Sequence, residues 1–232
     1  MESFSIKPTL TRTGAPAFTL VEMLVVLAII AIITVIVLTG QSAFSRTLLL
    51  TDTAYTVALS LREAQTYGIS SHVFVNGQSY NSNTGYGIDV TPNAQSYTEF
   101  ADTYPGGIGI QGSAYCPGHS ETNVNMPDAR PGDCVYESGY DGVARVYTFG
   151  QGYSIGAING VTSSGATVSP APTAVDITFQ RPNTTSVIVA TVNGVPTTLQ
   201  RVDIQVDSPQ GGSQCVVVNQ IGVIAVQETC SP

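Results

Sequence analysis

The sequence predicts an α+β fold: a long N-terminal helix, transmembrane in its first half and amphipathic in its second, packed on an antiparallel β-sheet domain. Three observations carry this. An apolar run from Phe18 to Leu38 holds a single charge. A helical periodicity follows it, and beyond Gly68 short β-rich segments alternate with turn residues. The organisation expected is a leader at residues 1–17, an apolar helix at 18–38, an amphipathic half at 39–68 and a β-rich globular domain at 69–232.

The apolar run reads FTLVEMLVVLAIIAIITVIVL, 21 residues. As a helix it is about 31 Å long, roughly the thickness of a bilayer's hydrocarbon core. A secretory signal peptide has a shorter apolar region followed by a small-residue cleavage site. Here the chain leads from Thr39 to Arg46 into further helix, so the segment reads as a membrane helix retained by the protein. The residues before it include Lys7 and Arg12 against Glu2, a positive balance that holds them in the cytoplasm and sends the C-terminal domain outward.

Further along, Ala54, Val57, Ala58, Leu61, Ala64 and Gln65 recur at i, i+3, i+4, i+7, with Thr56, Ser60, Arg62 and Glu63 between them. Asp52 suits the start of this portion and Gly68 a stop after Tyr67. One helix from Thr19 to Tyr67 measures roughly 75 Å at the standard rise, with Gly40 loosening its middle. The strands expected are His72–Asn76, Tyr86–Val90, Tyr97–Ala101, Ala144–Phe149, Val175–Gln180, Val187–Val192, Val202–Val206, Cys215–Asn219 and Val223–Gln227. Residues 106–142 read as a long loop rich in Gly, Pro and acid, and Val161 to Thr173 as a second.

Charged residues are only 10% of the chain, against about 25% in ordinary soluble domains. Net charge is -8, the eight basic residues are scattered, and Lys7 is the only lysine. A phosphate-binding surface needs clustered Lys and Arg, so nucleic acid is not an expected partner. Four cysteines, Cys116, Cys134, Cys215 and Cys230, form no CxxC pair. In an exported domain they read as disulfides. Local pairs Cys116–Cys134 and Cys215–Cys230 are the simplest of the three connectivities, and free buried thiols are the alternative.

Glu22 is the anomaly of the apolar run, because an ionised carboxylate there is costly without a partner. Snorkelling or protonation is the plain explanation. The surrounding Gly14-Ala15-Pro16-Ala17-Phe18-Thr19-Leu20-Val21-Glu22 resembles the leader junction of type IV prepilins and type II secretion pseudopilins. The resemblance implies cleavage between Ala17 and Phe18, N-methylation of Phe18, and a Glu22 that is fifth in the mature chain. It also implies that Glu22 faces a neighbouring subunit's terminal amine, setting axial register as buried ionic groups can. Ala17 departs from the usual Gly; cutting after Gly14 instead displaces Glu22 to eighth. The order of helix, Ser71–Asn76, Gly85–Val90 and Tyr97–Asp102, with Ala58–Gln65 at the helix end, is similar to the minor pseudopilin H-like group.

Other chemistry is weaker. Gly152-Tyr153-Ser154-Ile155-Gly156 matches G-x-S-x-G, but no helix signal follows and both histidines, His72 and His119, precede it. Cys116 and His119 lack a second pair with zinc spacing. Asp128, Asp133, Glu137 and Asp141 could gather around calcium, yet their spacing fits no loop motif. Gly107-Ile108-Gly109-Ile110-Gln111-Gly112 lacks a βαβ context. No catalytic, cofactor or metal residue is expected.

The resemblance therefore implies a non-enzymatic, pilin-like filament subunit. Its expected partners are other pilin or pseudopilin subunits, a prepilin peptidase, an inner-membrane assembly platform and, before assembly, membrane lipid. It would be a single-pass protein of the cytoplasmic membrane with its C-terminal domain outside, then part of an extracellular or periplasmic filament. A tip adhesin, a DNA-capturing minor pilin and a membrane-anchored enzyme are the rivals.

Overall fold

The computed structural model describes residues 18–70, 73–76, 79–81, 84–103, 132–181 and 184–230. It divides into two compact units, residues 1–45 and 46–232. The helix α1 runs Leu20–Ile69. In the first unit, residues 18–38 are all solvent-exposed, as expected of a segment whose apolar character has no counterpart within its own chain.

The second unit is α+β. Among the described residues, twelve strands follow the helix: β1 Phe74–Asn76, β2 Ser79–Asn81, β3 Gly85–Val90, β4 Ser96–Asp102, β5 Gly142–Thr148, β6 Ser154–Val161, β7 Ala174–Phe179, β8 Ser186–Val192, β9 Val195–Leu199, β10 Arg201–Asp207, β11 Ser213–Asn219 and β12 Ile224–Gln227. Every pairing is antiparallel. They form a six-stranded sheet in the order β5-β4-β3-β7-β8-β9, a four-stranded sheet β12-β11-β10-β6 and the pair β1-β2. Where one sheet was expected, two larger ones share the core.

That core follows from alternation along the strands. Tyr86, Ile88 and Val90 of β3 and Val175, Ile177 and Phe179 of β7 face inward, joined by Val202, Ile204 and Val206 of β10 and Val216 and Val218 of β11. Leu50, Ala54, Val57, Ala58, Leu61 and Ala64 lay one stripe of α1 into the same cluster. Each fully buried Leu, Ile or Val contributes about 2 kcal/mol. The helix is also tied by polar contacts. Arg62 Nη2 donates to the Ile224 carbonyl at 2.9 Å, and Gln65 Nε2 to the Gly222 carbonyl at 3.1 Å.

Several expectations need correction. Asp52 caps nothing, because α1 runs through it without a break. Ser60 is buried, its Oγ 2.9 Å from the Tyr97 hydroxyl, which offsets its desolvation. Gly68 is no stop. It lies inside the last turn, where a Cβ would collide with the Phe179 carbonyl, so it is needed for close helix–sheet approach.

Strands β2, β6 and β9 were not anticipated. β6 carries Gly156 and Gly160, which dilute its pattern; a Cβ at these positions would meet the Asp207 carboxylate and the Leu199 side chain. β9 contains Pro196, tolerated because β9 is an edge strand. Residues 162–173 are turns and irregular chain, as expected, apart from a bridge between Val161 and Thr167.

Candidate functional site

Two groups of residues carry chemistry: the start of α1 and the carboxyls of the six-stranded sheet. Thr19 precedes the first helical residue, and the Glu22 amide donates to its Oγ1 at 3.2 Å. The Met23 amide donates to the Thr19 carbonyl at 3.2 Å. Thr19 is thus the N-cap, and Thr-x-x-Glu is the pattern of a capping box, a signal present in the sequence but missed there. Glu22 stands in the first turn, where the helix dipole favours negative charge. Phe18 is 74% exposed. Ala17 lies outside the described residues.

The outer face of the six-stranded sheet holds carboxyls that sequence reasoning passed over. Asp89 of β3 and Asp176 of β7 are paired in register, and Asp102 ends β4. Residues 132–136 cover this face. The Cys134 amide donates to Asp102 Oδ2 at 2.8 Å, the Tyr136 amide to Asp176 Oδ1 at 3.2 Å, and Thr178 Oγ1 to the Cys134 carbonyl at 3.3 Å. The Phe100 and Tyr136 rings are 5.2 Å apart. Burial pushes Asp89 up to about 6. It also holds Asp102 well above the usual carboxylate range, with Asp141 and Asp133 adding to the effect, and Asp176 likewise, with Asp89 adding.

Of the loop carboxyls weighed for calcium, Asp133 Oδ1 accepts from the Val135 amide at 3.0 Å. Asp141 takes the Thr103 amide at 3.0 Å and the Glu137 amide at 2.8 Å. These oxygens staple the loop. Asp128 lies outside the described residues, and among those described no three His, Cys, Asp or Glu side chains are grouped to hold a metal.

On the inner face, Glu99 of β4 is 1% exposed. Burial, reinforced by Glu63, pushes its carboxyl up to about 7. Glu63 accepts from the Tyr67 hydroxyl at 2.9 Å and the Tyr147 hydroxyl at 3.1 Å, and lies 3.8 Å from Arg145. Glu99 and Asp89 sit in predicted strands at positions where a charge breaks the β-rich run, the one signal that could have singled them out.

Ser154 opens β6, which continues as a strand to Val161, so G-x-S-x-G forms no strand–turn–helix elbow. His72, His119, Cys116 and residues 107–112 lie outside the described residues. Cys215 and Cys230 are bonded to each other, with a Cα–Cα distance of 5.1 Å. Cys134 is disulfide-bonded, and the expected pair Cys116–Cys134 extends beyond the described residues.

Residues 15–38 match the family described as Prokaryotic N-terminal methylation motif. This is the segment that contains Phe18, Thr19 and Glu22. The match supports a pilin-like or pseudopilin subunit. No curated protein and no solved structure matches the chain. Leu20–Leu38 is long and apolar enough to cross a membrane.

Proposed function

We propose that this protein is a structural, non-enzymatic subunit of a type IV pilus or type II secretion pseudopilus. The observation that carries the reading is Phe18 and Glu22 at the head of an apolar helix within the matched segment. In this reading residues 1–17 are a leader, 18–38 the membrane and filament-core helix, 39–68 its amphipathic continuation and 69–232 the extracytoplasmic domain. A prepilin peptidase cuts between Ala17 and Phe18, Phe18 is N-methylated, and an inner-membrane platform lifts the subunit out of lipid into a filament with other subunits. Glu22 then pairs with a neighbour's terminal amine and sets axial register. The minor pseudopilin H-like group is the finer assignment, supported by the order of helix and first strands.

Intact-mass measurement and N-terminal sequencing of membrane-extracted protein test this. The expected chain begins at methylated Phe18. Uncleaved chain recovered from working filaments would overturn the processing step.

A further inference from the structure

Behind α1 and the inner face of the six-stranded sheet lies a cavity of about 310 Å³, lined by Glu63, Tyr67, Phe74, Tyr86, Glu99 and Arg145 among others. This volume is at the lower end of small-ligand sites. The Phe74 ring rests against Gly142, where any Cβ would meet it, so the ring is held at the cavity wall. Glu99 is 1% exposed, and its Oε1 has no hydrogen-bond partner among the described residues. A buried acceptor left in that state is costly unless something fills it.

The charges identify what fills it. Arg145 is already engaged, with Nη1 donating to the Tyr147 hydroxyl at 2.6 Å and lying 3.8 Å from Glu63 Oε2. Its guanidinium sits over the Tyr147 ring, 5.2 Å from the centroid. Among the described residues, two carboxyls therefore face one committed cation, and a neutral ligand leaves that imbalance standing. The aromatic lining suits a cation as well, since ring faces attract ammonium and guanidinium groups. We propose that this cavity binds an alkyl ammonium or guanidinium group, whose N–H donors satisfy Glu99 while its methylenes lie against Tyr67, Phe74 and Tyr86.

The groups facing Glu99 are Glu63 and Tyr67 of α1, Tyr86 of β3, Tyr97 of β4, and Arg145 and Tyr147 of β5. With Glu99 at about 7, its ionised fraction rises about tenfold from pH 6 to pH 8, and cation affinity should rise with it.

The test is calorimetric titration of the full chain in detergent micelles with agmatine, a guanidinium and an ammonium on one alkyl chain. Saturable binding is expected at pH 8, about tenfold weaker at pH 6, and weaker by tenfold or more in Glu99→Gln, whose pH dependence should vanish. Arg145→Ala, an exposed change that leaves the fold alone, removes the competing cation and should tighten binding several-fold. Absence of saturable binding at pH 8, unchanged binding in Glu99→Gln, or weaker binding in Arg145→Ala overturns the proposal. A capped Gly-Gly-Arg-Gly-Gly peptide separates the sources. Binding as tight as agmatine's supports a basic side chain of another polypeptide; binding of agmatine alone supports a diffusible amine.

Discussion

Asp89 and Asp176 stand directly opposite one another in the antiparallel register of β3 and β7, so two carboxyls share one patch beneath residues 132–136. Neighbouring carboxyls in a buried site cannot both ionise cheaply. The consequence is a domain whose stability falls as pH rises.

Burial raises Asp89 to about 6 and Glu99 to about 7, and holds Asp102 and Asp176 well above the usual carboxylate range. A carboxyl whose folded-state value exceeds its unfolded one binds more protons when folded. Stability is then fullest below the unfolded value near 4 and declines as pH climbs through the folded value. Thermal unfolding of the full chain in detergent should show a lower midpoint at pH 8 than at pH 5, reflecting a loss of stability on the order of 4 kcal/mol from Asp89 and Glu99 together. Asp89→Asn and Glu99→Gln should each flatten the profile. A midpoint that rises across this window contradicts the assignment.

Gly68→Ala separates packing from propensity. Intrinsic preference alone makes the change stabilising by about 1 kcal/mol within a helix. The Phe179 carbonyl occupies the space of the added methyl, so the variant should instead lose about 2 kcal/mol or more. Denaturant titration decides the sign.

Cys215–Cys230, with a sequence separation of 15, closes the β11–β12 hairpin from Cys215 within β11 to a point just past β12. Replacing both with Ser should lower stability by about 3 kcal/mol. An unchanged melting midpoint would show that the hairpin's own pairing already holds this end of the chain.

At the head of α1, Thr19→Val should cost about 1 kcal/mol of local stability and speed amide exchange at Glu22 and Met23, while Thr19→Ser restores both. Glu22→Ala and Glu22→Gln should still insert, be cleaved and fold, yet fail to enter filaments. Separating membrane-held from filament-incorporated subunit checks this. Entry of both variants at the wild-type level would make Glu22 a bystander.

The helix was legible because its two halves carry strong and different patterns: an unbroken apolar run, then Ala54, Val57, Ala58, Leu61 and Ala64 on one stripe. Nine strands were recognisable by β-branched residues. β9 was missed because Pro196 argues against a strand, although Asn193-Gly194 before it, both at positive φ, is a hairpin signal that outranks it. β6 was missed because its glycines serve contacts with Asp207 and Leu199, distant in sequence. The carboxyl sites were illegible for the same reason. Nothing local to Glu99 says that Glu63 and Tyr86 close around it; the register of β3 on β4 and the docking of α1 against β5 do that.

Arg62 and Gln65 grip the β11–β12 turn through its main-chain carbonyls at Ile224 and Gly222, not through any side chain there. Gly222, at φ +84 and hard against the Thr184 carbonyl, is constrained in identity, as is Ile224, which is buried in the core. Ile221 and Val223 on either side are 69% and 49% exposed. The docking of the helix is therefore indifferent to what those two residues are. Lineages of this protein can repaint that tip freely, changing what it shows to the outside, while the joint beneath it stays as it is.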